Sequence, residues 1–182
     1  KVSSLIDKPL NVILDSGRGT KATSQDAFGR LRTSAPLTLF DSSHRYRDNS
    51  LWETDTATGG TATFNSNQGL VDLAVTTSSG SKVYRETKRT FAYQPGKALL
   101  SMSTFVFSPG KTNLRQRCGY FGTNNGYYAQ LNGTSLSFVE RSSVSGSVTE
   151  TTVTQSSWNY DPLDGTGPSG LTLDITKSQI LW

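Results

Sequence analysis

Two carboxylates, one histidine, a glycine-rich loop and a row of tyrosines are the places where this chain carries residue types able to do chemistry. Hydrolysis of a glycosidic bond needs two carboxyl groups facing one another across a cleft, about 5 to 9 Å apart, one as acid and the other as nucleophile or base. Glu53 and Asp55 share a face if their segment is extended, but residues 51–60 read as turn-rich, and no other i, i+2 or i, i+4 carboxylate pair falls on a predicted strand. Glu86, Glu140 and Glu150 are expected to lie dispersed. His44 is the only histidine, so any Ser/His/Asp or Cys/His arrangement must use it. It sits in the polar run Ser42-Ser43-His44-Arg45-Tyr46-Arg47, where an exposed or locally hydrogen-bonded imidazole is expected.

The stretch Gly17-Arg18-Gly19-Thr20-Lys21 is superficially like a phosphate loop. It lacks the GxxxxGK[ST] spacing, and no helical pattern follows to supply an N-terminus, so it reads as part of a flexible arm. Cys118 is the only cysteine, which rules out an intrachain disulfide, a four-cysteine zinc site and a CxxC redox pair. The loop from Asp161 to Gly167 places Asp161 and Asp164 among glycines and could hold Ca²⁺ through oxygens, but its spacing is not that of an EF-hand and a plain turn is the preferred reading. No catalytic residue, cofactor or metal is expected. Sugar binding stays open as an alternative, because Tyr120, Phe121, Tyr127 and Tyr128 flank one loop and rings in such places stack on sugars. Alternation should bury about half of these rings. The candidate glycan contacts are Tyr120, Tyr127, Tyr128, Asp161 and Asp164. Asn132-Gly133-Thr134 fits the N-glycosylation pattern, but a hairpin turn already explains it.

The formal net charge is +4, which raises the question of an acidic partner. The one dense basic patch, Lys82, Arg85, Lys88 and Arg89, is split over both faces of a strand with Glu86 beside it, so a solvated face is expected and no specific nucleic acid. No apolar run reaches the ~18 residues of a membrane span and no leader is visible, so a soluble protein is expected. The chain opens at Lys1 and closes within the apolar run Gln179-Ile180-Leu181-Trp182, which suggests a longer native chain.

The elements that must position these residues are strands. Charged residues are only 18% of the chain, Gly counts 17, and no window keeps apolar residues at helical spacing, so the clean periodicities are those of period two. Residues 1–35 hold one short apolar run, 10–14, and read as an extended arm that must lie on the domain or on another subunit if it orders. Strands are expected at 37–40, 62–64 and 69–77, the last with Val71, Leu73 and Val75 inward. Residues 82–93 and 97–107 are expected to form a central hairpin through Gln94-Pro95-Gly96. Residues 116–122, 126–131 and 134–141 should make a meander closed by Asn132-Gly133. A Thr-rich strand at 147–155 with little to bury follows, then 171–175 and 178–182. Ten or more short, mostly antiparallel strands point to an all-β, two-sheet sandwich of jelly-roll, concanavalin-like type over residues 36–182.

Four segments resemble a known family when taken in order: DAFGRLRTSAPLTLFDS at 26–42, YQPGK at 93–97, RCGYFGTNNGYY at 117–128 and WNYDPLDGTGPSGLTLDITKSQILW at 158–182. They are similar to virion structural proteins of tailed phages, notably marine and cyanobacterial ones. The resemblance implies a lectin-like sandwich, a place in the virion on the tail, baseplate or capsid, and other virion proteins as partners, and it carries over no site residue. The expected role is therefore non-enzymatic. It is that of a particle component acting through subunit contacts, as a homo-oligomer such as a trimer. The alternative is a carbohydrate-binding module of a receptor-binding or tail fibre protein that meets a host surface glycan.

Overall fold

Period-two patterning predicts strands, and antiparallel strands are what the chain forms. The computed structural model describes residues 37–92 and 94–182, and the expected N-terminal arm, with its apolar run and its glycine-rich loop, lies outside them. The described residues form ten strands, one 3₁₀ turn at Gln155–Ser157 and no α-helix. No helix among them is long and apolar enough to cross a membrane. The chain divides into two compact units, Lys1–Ala92 and Tyr93–Trp182.

The first unit carries β1 (Trp52–Ala57), β2 (Thr61–Asn65), β3 (Leu70–Ala74) and β4 (Lys82–Thr87). β1 pairs with β4 from Trp52↔Thr87 to Ala57↔Lys82, and β2 forms a hairpin with β3. The β2–β3 loop is closed by the Asn65 side chain, whose Oδ1 accepts the N–H groups of Asn67 and Gln68 at 3.2 and 3.3 Å. Phe40 packs edge-on against both Trp52 and Phe91, with centroids 5.6 and 5.5 Å apart. The short strand expected at 37–40 does not form, since Phe40 docks by its ring and the segment finds no strand to pair with. Val71 is half-buried as expected, but Leu73 and Val75 stay exposed. A two-stranded sheet buries an inward face only where another element covers it.

The second unit carries β5 (Ser103–Phe105), β6 (Arg115–Phe121), β7 (Gly126–Asn132), β8 (Ser135–Ser142), β9 (Thr149–Thr154) and β10 (Gln179–Leu181). The order β6-β7-β8-β9 is the expected meander extended by the expected Thr-rich strand. The β7–β8 turn falls on Gly133 and Thr134, with Asn132 opposite Ser135. Only Gly133 of the two has positive φ, at 60°, the type II′ pattern whose twist suits a hairpin.

The hairpin expected between residues 82–93 and 97–107 does not form. Its turn closes, with the Lys97 N–H donating to the Gln94 carbonyl at 3.1 Å, yet β4 pairs with β1 and β5 pairs with β10. Pro95 followed by Gly96 at φ 80° has the unprimed type II form, which splays the flanking strands. Residues 99–107 nevertheless keep strand-like alternation: every odd position is buried or half-buried and every even one exposed. Residues 171–175 form no strand of their own. They are tied by the bridge Asp164↔Thr172 and by the Leu173 N–H donating to the Leu163 carbonyl at 2.8 Å.

The core of the second unit is Phe107, Leu131 and Leu136, with Phe105, Cys118, Trp158, Leu173 and Ile175 packed against it. Full burial of one such side chain contributes roughly 1.5–3 kcal/mol. Tyr128, Ala129 and Val139 are buried as well, Tyr128 and Val139 on the other face of the sheet.

Candidate functional site

Register divides the β6–β9 sheet into two faces that separate the sequence's aromatic cluster. Arg117, Gly119 and Phe121 stand opposite Gln130, Tyr128 and Gly126, which in turn face Ser137, Val139 and Arg141. Arg141 is opposite Glu150 on β9, so all of these share one face. Gly119 leaves room for its neighbour, since a Cβ there would fall 2.6 Å from Tyr128 Cα. Tyr128 is only 1% exposed. Its ring packs on Phe121 with centroids 4.6 Å apart, beneath the guanidinium groups of Arg117 and Arg141 at 5.0 and 5.4 Å.

Glu150 Oε1 gathers this cluster. It accepts from the Tyr128 hydroxyl at 2.9 Å and from Arg141 Nη2 and Nε at 2.7 and 3.1 Å, with Arg117 Nη2 at 3.9 Å. Arg141 also donates to the Gly122 carbonyl at 3.0 Å and so ties down the β6–β7 loop. The Arg141 bond, then the Tyr128 bond, holds the Glu150 carboxyl below its ordinary range. Burial, then the bond to Glu150, pushes the Tyr128 phenol up. Gln130 is buried and its Oε1 accepts from Arg117 Nε at 2.9 Å. A ring buried under two cations, with its hydroxyl already donated, has no face left for a sugar, so Tyr128 leaves the candidate glycan set.

Tyr120 and Tyr127 lie on the opposite face, directly across from one another, with ring centroids 5.8 Å apart at 42°. Tyr127 is exposed and Tyr120 half-buried. Of the four rings expected to be about half buried, Tyr128 is buried, Tyr120 and Phe121 are half-buried and Tyr127 is exposed. Further along this face Phe138 stacks on Trp158 at 4.7 Å. Cys118 packs at the core edge, where burial pushes its thiol up to about 11. Such a thiol stays protonated and is a poor nucleophile at neutral pH.

Asp161 and Asp164 are turned into their own loop. Asp161 Oδ1 accepts the Leu163 N–H at 2.7 Å and its Oδ2 the Ser169 N–H at 2.8 Å. Asp164 Oδ1 accepts the Thr166 hydroxyl and N–H at 2.6 and 2.9 Å. Hydrogen bonds from Ser169 and Leu163 hold the first carboxyl below its ordinary range, and bonds from Thr166 the second. These are turn-building bonds, and no group of three or more His, Cys, Asp or Glu among the described residues is arranged to hold a metal. Asp164 also rims an open hollow with Thr134, Ser135, Thr154 and Ser156.

In the first unit, residues 52–57 form β1 where a turn-rich stretch was expected. In the segment Trp-Glu-Thr-Asp-Thr-Ala only Trp52 and Ala57 are half-buried and the four residues between them are exposed, so no apolar alternation marks the strand. Glu53 and Asp55 therefore do share an exposed face, and register sets Glu53 opposite Glu86 and Asp55 opposite Tyr84. Arg85 departs from the expected solvated patch. Its side chain is 10% exposed. Nη1 donates to Thr54 Oγ1 at 3.0 Å, and Nη2 bonds Asp48 Oδ1. His44 is half-buried beside Trp52, and its Nδ1 is buried without a hydrogen-bond partner, 3.9 Å from Asp48 Oδ1. Burial first, and Arg85 second, lower its pKa.

Comparison with protein-family models, with curated proteins and with solved structures finds no match to this chain. The Arg117–Arg141–Glu150 cluster is not legible in the sequence, because the residues lie on three different strands. The meander's turns, once fixed, set Arg141 near Glu150 and were the one available signal.

Proposed function

We propose that this chain is a structural component of a virus particle, located on tail, baseplate or capsid, and that it works through contacts between subunits and not through catalysis. Its sheets are read as parts of a jelly-roll-type sandwich. Phe105, within the β5–β10 pair, and Phe107, just beyond it, join Leu131 and Leu136 of the four-stranded sheet in one core, which supports two layers within the second unit.

The observation that carries the proposal is the outward side of that β5–β10 layer. Leu100, Met102 and Val106 alternate outward from the core-facing residues, and Ile180 stands opposite Thr104 on the same side. Val106 is 50% and Ile180 56% exposed. Clustered apolar exposure of this kind marks contact surfaces. The groups able to do chemistry, by contrast, are spent on local bonds at Glu150, Tyr128, Asp161 and Asp164.

Purified particles from the host that carries this gene, analysed by mass spectrometry and cryo-electron microscopy, should contain the chain at fixed stoichiometry with β5 and β10 covered. Its absence from particles would remove the proposal. A second reading, glycan binding, is favoured by the Tyr120–Tyr127 pair alone, in which Tyr127 is exposed. Saturable binding on a glycan array that is lost in Tyr127→Ala would put that reading first.

A further inference from the structure

β9 is the outer strand of the four-stranded sheet, and all six of its residues are exposed. One edge pairs with β8 through six unbroken partners, from Ser137↔Thr154 to Ser142↔Thr149. Among the described residues no backbone hydrogen bond reaches the other edge. A row of free N–H and C=O groups is a template for another strand, and edges are ordinarily blunted by lysine, proline, a bulge or a covering loop. The strand Thr149-Glu150-Thr151-Thr152-Val153-Thr154 carries no lysine or proline, and its pairing has no bulge. Its single charge does not guard the edge either, because Glu150 is drawn across its own sheet by Arg141 at 2.7 Å.

We infer that β9 is a self-association edge that pairs antiparallel with β9 of a second copy, joining two four-stranded sheets into one of eight. This rests on the subunit-contact reading above and names the strand and the partner for it. A two-fold pairing is self-complementary, and it must set residues of one face opposite residues of the same face. Glu150, Thr152 and Thr154 form one such set. Centring the pairing on Thr152 places Thr152 opposite itself, Thr151 opposite Val153 and Glu150 opposite Thr154. These are Thr–Thr and Thr–Val pairs of the favourable kind, with no like charges opposed. Centring on Thr151 would halve the separation of the two Glu150 residues along the strands from roughly 13 Å to roughly 7 Å, inside the ~8 Å screening length of physiological salt. The Thr152-centred register avoids that repulsion. A foreign strand would need its own matching register, whereas a second copy supplies one by symmetry.

Sedimentation equilibrium of the full chain tests this directly. The unmodified protein should dimerise, and Thr152→Lys, which sets lysine against lysine on an exposed strand, should weaken the dimer by about tenfold or more. Under mild oxidation Thr152→Cys should give a disulfide-linked dimer, since directly opposed residues fall within the backbone separation a disulfide spans. Thr151→Cys should give less, and Thr56→Cys, exposed on β1, only background. The protonated Cys118 thiol keeps the background low. A monomeric unmodified chain, a dimer indifferent to Thr152→Lys, or equal cross-linking through Thr56→Cys would each overturn the inference. A β9 dimer from a chain absent from particles would sink the proposed function and leave this pairing standing, while a monomer found in particles would do the reverse.

Discussion

Glu150 shows how much a single acceptor can organise. One carboxylate oxygen receives the Tyr128 hydroxyl and two Arg141 nitrogens, and through Arg141 it reaches the Gly122 carbonyl in the β6–β7 loop. Its folded-state pKa is lowered, so its stabilisation is present above the unfolded carboxylate value of about 4.3 and is lost as pH falls through the lower folded value. Glu150→Gln should therefore lower stability at neutral pH and make no difference once both states are protonated. The side chain is 36% exposed, so solvent screening limits the loss to about 0.2–1 kcal/mol. Urea unfolding at pH 7 and below pH 3 measures both. His44 acts earlier on acidification: its lowered pKa means stability is full above about 6.5 and declines below it. Period two placed Tyr127 and Tyr128 on opposite faces from sequence alone. It did not reveal that Tyr128 would be sealed by Arg117 and Arg141, because that depends on a cross-strand register set by turns far from the ring.

At the scale of elements, turn chemistry decided which strands met. Both Gly-containing hairpin signals were legible as turns, but only Gly133 has the type II′ form that brings strands together, and the Pro95-Gly96 turn sent its flanks to other partners. The missed strand, β1, was hidden because its outward side holds Glu53 and Asp55 where a strand search looks for apolar or β-branched residues. That side also contains a cost. Glu53 faces Glu86 directly, and opposed like charges destabilise an antiparallel pair. Glu53→Lys converts the pair to opposite charges and should stabilise the β1–β4 sheet by about 0.2–1 kcal/mol. A rise in the thermal midpoint that shrinks in high salt would identify the effect as electrostatic.

For the whole molecule, composition and periodicity made the all-β class readable, since a charge-poor, glycine-rich chain with no helical spacing has few other ways to bury its side chains. The partition at residues 92 and 93 was not readable. It arises where an expected central hairpin fails, and the local sequence there looks like a good turn. The second unit buries Phe107, Tyr128, Ala129, Leu131, Leu136 and Val139 and leaves Leu100, Met102, Val106 and Ile180 exposed, the surface on which the proposed subunit contacts rest. The β8–β9 connection, residues 143–148, turns back through the Gly146 N–H donating to the Ser143 carbonyl at 3.0 Å and leaves Val144 95% exposed. A tip so weakly tied tolerates added sequence. An epitope spliced between Ser145 and Gly146 would keep the sheet intact, and antibody decoration of purified particles, or its absence, would test the proposed place of this chain in a virion.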